Sequence, residues 1–166
     1  MKCRNFNFIK QSVFKSISWT WVTIWLLILG IFSFLITNYV HETNTVSQVC
    51  TQGSCFTVEI ARTSAEQELW LMNRTSMAEK SGMLFIFPQN NLYAFRMKNT
   101  LIPLDMVRID DTLRVVKVMT AQPCTGDPCP TYNPEIWATY VLEINAGIAA
   151  KYNIIEWMQM KLKNIK

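Results

Sequence analysis

The sequence predicts a mainly β protein, a small antiparallel β-barrel or sandwich with one or two short helices, preceded by one transmembrane helix. Three observations support this fold class. An uncharged apolar run covers residues 16–40, six or seven short strand patterns follow it, and four of the five cysteines form two closely spaced pairs. The predicted organisation is a basic segment at 1–15, the helix at 16–40, a tether at 41–54 and a β domain at 55–166.

The uncharged run is long enough for a helix that crosses the hydrocarbon core of a bilayer, which takes about 20 apolar residues. The charged residues that precede it are all positive: Lys2, Arg4, Lys10 and Lys15. The positive-inside rule therefore predicts a cytoplasmic N-terminus and a single pass through the inner (cytoplasmic) membrane, with the C-terminal domain in the periplasm or outside the cell. A cleaved secretory signal is the alternative, but its apolar core is shorter, and residues 37–41 contain no small-residue cleavage pattern.

The distribution of charge argues against nucleic acid as a partner. The formal net charge of +4 equals the four cations before the apolar run, because the other twelve Lys and Arg residues are matched by all twelve Asp and Glu residues. The β domain is therefore near neutral and lacks the basic surface typical of nucleic-acid-binding domains.

Two cysteine pairs, Cys50 with Cys55 and Cys124 with Cys129, lie in the part of the chain that is predicted to be exported. Four cysteines in an oxidising compartment predict two disulfides, for which three pairings are possible. The two local pairings are favoured, because Gly53 and the turn at 126–128 let each loop fold back. A metal or redox role is the alternative, although the usual redox motif has two intervening residues rather than four.

His41 is the single histidine of the chain, and it directly follows the apolar run. The domain therefore lacks the residues for a Ser-His-Asp or Cys-His nucleophile pair and for a histidine-rich zinc site. No metal and no cofactor is predicted, and any catalysis would depend on carboxylates, Lys, Tyr or Cys.

The first half of the domain alternates strand and helix signals. A strand is predicted at 55–61, and Ser64 with Gln67 forms a capping box that begins a helix. The apolar run at 83–87 predicts a buried strand that Pro88 ends, and the alternation at 93–97 predicts a half-buried strand.

The second half of the domain contains the sequence patterns of further short strands. They are predicted at 104–109, 113–119 and 139–146, with a hairpin turn at Asp110-Asp111. A loop covers 123–134, one or two helical turns cover 147–152, and the alternation at 158–162 predicts a last edge strand with outward charges.

Several stretches, in this order and spacing, carry a resemblance to a known family. The central ones are GMLFIF at 82–87, FRMKNT at 95–100 and IPLD at 102–105. Supporting residues lie on both sides: Glu66, Leu71, Met72, Arg74, Pro123, Cys124, Cys129, Tyr132, the stretch 140–143, Ala146 and Gly147. Residues 56–165 thereby resemble the domain of unknown function 192 family, an uncharacterised prokaryotic family. The resemblance implies a compact, mainly β domain, often exported, and no established activity.

The chain departs from the family pattern at four positions. Trp70 stands where the family has Gly, Arg96 where it has Trp, and Asn153 and Trp157 where it tends to have Gly. A Gly-to-Trp replacement adds a large apolar surface, so we expect the surroundings to make room for it, with a distinct groove as a possible result.

The candidate ligand- or partner-binding residues are polar side chains from these motifs and two carboxylates within apolar strands: Arg74, Arg96, Lys98, Asn99, Thr100, Asp105, Tyr140 and Glu143. Each has a structural alternative. Asn99 and Thr100 are also typical turn residues, and Lys98 can be simply solvated. Asp105 and Glu143 can belong to structural ion pairs, since buried carboxylates are rare unless they are paired.

The favoured hypothesis for function is a membrane-anchored, extracytoplasmic, non-enzymatic module that binds a small molecule or an envelope protein. One alternative is an enzyme of the cell envelope, which requires Asp105 or Glu143 to share a cleft with Lys98. Another is a Cu(I) or thiol-redox protein, since eight methionines follow the apolar run and thioethers bind Cu(I). Methionine is also an ordinary core residue.

Overall fold

A computed structural model describes residues 19–43, 46–69 and 71–165. The chain divides into two compact units, Met1–Thr45 and Val46–Lys166. The first unit contains α1 (Trp19–Thr43), a helix of 25 residues with exposed apolar side chains. Among the described residues, no helix combines the length and the hydropathy needed to cross a membrane. The predicted basic segment at 1–15 lies outside the described residues.

The second unit is a β domain, and its described residues contain nine strands and two short helices. The strands are β1 (Gln48–Cys50), β2 (Cys55–Ala61), β3 (Ser81–Asn91), β4 (Phe95–Arg96), β5 (Leu104–Ile109), β6 (Val115–Ala121), β7 (Thr131–Tyr132), β8 (Ala138–Asn145) and β9 (Lys161–Lys163). The helices are α2 (Ser64–Leu69) and α3 (Ile148–Lys151).

Seven of these strands form one curled sheet, a half-barrel, in the order β6-β5-β8-β3-β2-β1-β9, and β4 pairs with β7 as a separate ribbon. The prediction of a mainly β domain with short helices is confirmed. The prediction that all pairs are antiparallel is wrong at β2 and β3, which pair in parallel. The segment that contains α2 returns the chain to the start of β3, as a parallel connection requires.

Local patterns located several elements well. The predicted strands at 55–61 and 104–109 coincide with β2 and β5. The hairpin turn between β5 and β6 is also confirmed: the Asp110 backbone N–H donates to the Arg114 carbonyl, and Asp110 Oδ1 accepts hydrogen bonds from Thr112 and Arg114. The last strand was predicted at 158–162, but β9 covers only Lys161–Lys163. It lies at one edge of the sheet with Lys161 and Lys163 exposed, so the predicted edge position and outward charges are confirmed.

Three predictions about individual elements are wrong. The tether was predicted to run to residue 54, but Gln48–Cys50 forms β1 between β2 and β9. Pro88 does not end β3. The register between β3 and β8 instead shifts between Ile86 and Asn91, a bulge that accommodates a residue without an N–H group.

The third wrong prediction concerns the capping box. It was predicted at Ser64 and Gln67, but it is formed one residue earlier, by Thr63 and Glu66. Glu66 Oε2 accepts the backbone N–H groups of Arg62 and Thr63, and Thr63 Oγ1 accepts the N–H of Glu66. In the segment 93–97 the predicted alternation of burial holds, but only Phe95–Arg96 pairs as a strand.

Both faces of the curled sheet are covered by apolar side chains. One cluster contains Phe56, Leu84 and Leu142, and the other contains Phe85, Met106 and Val141. Successive residues of a strand point to opposite faces, so Leu142 and its neighbour Glu143 belong to different faces. This alternation decides which polar residues lie on the same face of the sheet.

The two local disulfides are confirmed as Cys50–Cys55 and Cys124–Cys129. The first closes the hairpin between β1 and β2, where the two cysteines are directly paired in register. The second closes the loop that precedes β7. In the loop-entropy model each such short ring stabilises the fold by about 2 kcal/mol.

Candidate functional site

A cleft of about 670 Å³ opens on the face of the sheet that carries Phe85. Its walls come from α2, the segment after α2, the end of β3, β4 and β7. They are formed by Ser64, Gln67, Met72, Phe85, Phe87, Tyr93, Ala94, Phe95, Arg96, Lys98 and Thr131.

One wall of the cleft is aromatic. The rings of Phe87 and Tyr93 are stacked with centroids 3.6 Å apart and planes 11° apart. Phe95 meets Phe85 and Phe87 edge-on, at centroid distances of 5.2 and 6.2 Å. These contacts hold the rings in fixed orientations, so the wall is formed before any ligand arrives.

A smaller cavity of about 40 Å³ forms the floor of the cleft. The two spaces share six lining residues: Gln67, Met72, Phe85, Phe95, Arg96 and Lys98. The floor adds Leu71, Met97, Thr100 and Glu143. Its volume holds about three water-sized groups.

Glu143 is the chemically distinctive residue of this floor. It lies on β8 between Met83 of β3 and Met106 of β5, which are its register partners and are fully buried. The residue is 4 % exposed, and no described group donates a hydrogen bond to its carboxyl. Burial alone raises the pKa of Glu143 to about 8. At neutral pH this carboxyl is therefore protonated, and it lines the cavity with no hydrogen-bond partner among the described residues.

The segment 98–100 forms part of the rim, and the disulfide loop holds it in place. The Asn99 N–H donates to the Cys124 carbonyl at 2.9 Å, and the Asn99 carbonyl accepts the N–H of Asn73 at 2.8 Å. Asn99 has a φ of 55°, a conformation that Asn tolerates. Its contacts are thus those of a turn residue, while the neighbouring Lys98 and Thr100 line the cavity.

The two cations at the rim are only loosely engaged. Lys98 Nζ lies 3.1 Å from Asp127 Oδ2, and both side chains are more than half exposed, so this ion pair is weak. Arg96 Nε donates to Thr131 Oγ1 at 3.1 Å across the β4–β7 ribbon. Arg96 has a neutral partner and leaves its full positive charge at the cleft entrance, whereas Asp127 partly offsets the charge of Lys98.

Three other candidate residues lie elsewhere. Arg74 makes a bidentate ion pair with Glu59, with both distances 2.7 Å. Asp105 faces the opposite side of the sheet, where Oδ1 accepts from Thr120 Oγ1 at 2.7 Å and Oδ2 accepts the Ala149 N–H of α3 at 3.0 Å. Tyr140 packs against the cluster on that same opposite side. The structure thus brings together Arg96, Lys98, Thr100 and Glu143, and it separates Asp105 from Lys98.

Sequence reasoning missed Arg108, which supports the aromatic wall from behind. This side chain is 1 % exposed, its Nη2 donates to the Tyr93 carbonyl at 2.8 Å, and its guanidinium lies 5.5 Å from the Phe95 ring centroid. Burial lowers the pKa of Arg108. The available signal was an arginine between Val107 and Ile109 in a strand that is otherwise apolar.

The described lining of the cleft is aromatic along one wall and polar or charged at its rim and floor. Within 19–43, 46–69 and 71–165, no group of three His, Cys, Asp or Glu side chains is placed to hold a metal. The cleft offers instead a planar aromatic wall, a cationic rim and one uncharged carboxyl at its floor.

A family model described as domain of unknown function 192, "Uncharacterized ACR", matches residues 47–162. The chain belongs to this family. The match begins before the resemblance seen in the sequence, since it includes β1. It covers the whole cleft, including Glu143 and the segment 95–100. A comparison with curated proteins finds no match.

Two solved structures share the fold. A protein from Sinorhizobium meliloti 1021, described as a candidate transcription regulator, is 28% identical with a TM-score of 0.64, over 71% of this chain and 92% of that one. A protein of unknown function from Novosphingobium aromaticivorans DSM 12444 is 31% identical with a TM-score of 0.60, over 70% of this chain and 83% of that one.

The departures from the family pattern have separate outcomes. Trp70 lies outside the described residues, and Arg96 lines the cleft. Asn153 and Trp157 have φ values of 51° and 71°, the region that favours glycine. The expectation that Trp157 needs room in its surroundings is wrong, because its side chain is 75 % exposed. Glycine at these two positions of the family thus suits the backbone rather than the packing.

Proposed function

We propose that this protein is a membrane-anchored, extracytoplasmic module that binds a small organic molecule in the cleft above Glu143. The observation that carries the proposal is the buried Glu143 carboxyl, which has no described hydrogen-bond donor and lines the floor of an aromatic cleft. A buried polar group without a partner is costly. A ligand that supplies the missing hydrogen bonds recovers this cost on binding, and the rest of the cleft offers it apolar contact.

The binding proposal predicts where small ring compounds contact the protein. The full chain is purified in detergent and labelled with ¹³C at the methionine methyls. When a set of small ring compounds is titrated, some of them should shift the NMR signals of Met72 and Met97, and these shifts should saturate. Both residues line the floor cavity, whereas Met160 belongs to the opposite cluster and serves as an internal control. Phe87→Ala removes one ring of the stacked wall and should weaken such binding about tenfold.

The matched control is Trp137→Ala, which removes an exposed aromatic side chain that does not line the cleft. This variant should bind the same compounds as the unmodified chain. If no compound shifts Met72 or Met97, or if Phe87→Ala and Trp137→Ala have equal effects, the cleft is not a binding site.

The anchor and the compartment are part of the proposal. They are supported by the uncharged run at 16–40, which begins before the described part of α1, and by the four cations that precede it. The two disulfides, Cys50–Cys55 and Cys124–Cys129, suit an oxidising compartment.

Cysteine labelling in intact cells tests this topology. If the disulfides are formed and the N-terminus is cytoplasmic, Cys3 is the one free thiol of the five cysteines. It should react with a membrane-permeant maleimide and not with an impermeant one, and the chain should stay in the membrane fraction after alkaline washing. Recovery in the soluble fraction, or labelling of Cys3 by the impermeant reagent, would contradict the anchor.

An envelope enzyme is the second candidate, since Glu143 and Lys98 line one cavity. A carboxyl that stays protonated at neutral pH is suited to donate a proton as a general acid. This hypothesis predicts turnover of a model ester or glycoside by the full chain, abolished in Glu143→Gln. Binding without turnover would contradict the enzyme hypothesis and leave the binding module as the proposed function.

A further inference from the structure

We propose that the cleft takes a planar ring compound that presents an uncharged amide edge, with a carbonyl oxygen beside an N–H group, to the carboxyl of Glu143. This inference rests on the binding function proposed above and names the chemical class of the ligand.

The hydrogen-bonding capacity of Glu143 is the first argument. A protonated carboxyl offers one O–H donor and one carbonyl acceptor side by side, whereas a carboxylate offers acceptors only. Since burial raises the pKa of Glu143 to about 8, the protonated form prevails at pH 7. Both oxygens lack described donors, so donor and acceptor are available together. An amide edge is the complementary group, because its carbonyl accepts the O–H and its N–H donates to the carboxyl carbonyl.

The size of the floor cavity supports the same class. A volume of about 40 Å³ admits a group of about three heavy atoms, such as the carbon, oxygen and nitrogen of an amide. Met83 and Met106 flank Glu143 on either side and are fully buried. The amide group therefore has to enter from the cleft, with the rest of the ligand still in the cleft above.

The cleft above the floor favours a planar body. Phe87 and Tyr93 form a stacked pair, and Phe95 stands edge-on to Phe87. A flat ring can pack against such a wall by stacking or by edge contact, each of which adds to simple apolar burial.

Charge at the rim argues against the main competing class, a cation. An amidinium or ammonium group would need Glu143 ionised, and it would have to pass Arg96 and Lys98, the charged residues that line the floor cavity together with Glu143. Like charges at the entrance oppose a cationic ligand and are compatible with a neutral one.

Benzamide and benzamidine form a matched pair of probes, because they have the same shape and differ in charge. In the full chain with ¹³C-labelled methionine methyls, benzamide at pH 7 should shift the NMR signals of Met72 and Met97 and leave the signal of Met160 unchanged. Benzamidinium should bind at least about tenfold more weakly. Above pH 8 the affinity for benzamide should fall by up to about tenfold per pH unit, because ionised Glu143 has lost its donor.

Variants at Glu143 complete the test. Glu143→Gln should remove the dependence of benzamide affinity on pH between 7 and 9, and Glu143→Leu should lower the affinity at least about tenfold. Glu135→Gln changes an exposed carboxyl outside the cleft and should reproduce the unmodified pH curve. An unchanged Met160 signal shows that each variant is folded.

The outcomes separate this inference from the binding function. Tighter binding of benzamidinium, or benzamide binding that is insensitive to both pH and Glu143→Leu, overturns the amide class. If benzamide does not bind but other rings shift Met72 and Met97, the amide class fails and the binding function stands. If no compound shifts these methyls, both fail.

Discussion

Replacing Glu143 with Gln should raise the free energy of unfolding by about 3 kcal/mol at pH 7 and leave it nearly unchanged at pH 4. Gln has almost the same shape and cannot ionise. Glu143 is 4 % exposed and no cation among the described residues pairs with it, so its charge is not screened by solvent or by an ion pair. Chemical denaturation at a series of pH values measures the effect.

The direction follows from the raised pKa. Burial moves the pKa of Glu143 from 4.5 to about 8. Between these two values the folded chain retains a proton that the unfolded chain releases, so stability falls as the pH rises. Each pH unit of this window lowers the free energy of unfolding by about 1.36 kcal/mol. The loss begins near pH 4.5, amounts to about 3 kcal/mol at pH 7, and levels off above pH 8.

The control is Glu135→Gln, because Glu135 is an exposed carboxyl of the same domain. Its stability should follow that of the unmodified chain at every pH. Equal pH dependence in Glu143→Gln and the unmodified chain would show that Glu143 has an ordinary pKa. The hydrogen-bonding argument for the ligand would then fail as well.

The strands that the sequence located well are those whose signals are local. Alternating or uniformly apolar residues bounded by turn residues predicted β2 and β5 at their observed bounds. The Asp110 turn and both disulfides depend on residues at most five positions apart, so they too were accessible from the sequence alone. The parallel pairing of β2 with β3 was not predictable from the sequence, because neither strand contains a local pattern that identifies its partner strand.

Errors at β1 and Pro88 have the same origin. The three residues of β1 are too few for a pattern, and they form a strand because β2 and β9 lie on either side. Pro88 would end an isolated strand, but here β3 continues through a bulge opposite β8. In both cases the tertiary neighbours decide, and a single sequence does not contain them.

The candidate site was predictable in part. Glu143 and Lys98 were identified by residue type and motif, and they do line one cavity. Asp105 is a strand carboxylate like Glu143, yet its register partner on β8 is Ile144 rather than Glu143. One position of difference places it on the other face of the sheet. The aromatic wall and Arg108 were missed, because their meeting depends on how β3, β4 and β5 come together.

Gly82→Ala should lower the free energy of unfolding by about 1–3 kcal/mol and disturb the floor of the cleft at the same time. A Cβ atom added at Gly82 would lie 2.6 Å from the carbonyl oxygen of Glu143 and 2.9 Å from Ile144 Cγ2. The first of these is backbone, so it cannot move aside as a flexible side chain would. The central strands β3 and β8 would have to separate where Gly82 pairs with Ile144.

Gly53→Ala is the matched control, because a Cβ atom there meets no other atom within 4 Å. Thermal denaturation of both variants should show a clear loss for Gly82→Ala and almost none for Gly53→Ala. The methyl signals of Met83 and Met97 should shift only in the first, since Met83 adjoins Gly82 and pairs with Glu143, and Met97 lines the same cavity. A stable Gly82→Ala protein with unshifted methyls would mean that β3 and β8 are not packed this closely, and the enclosed position of Glu143 would have to be abandoned.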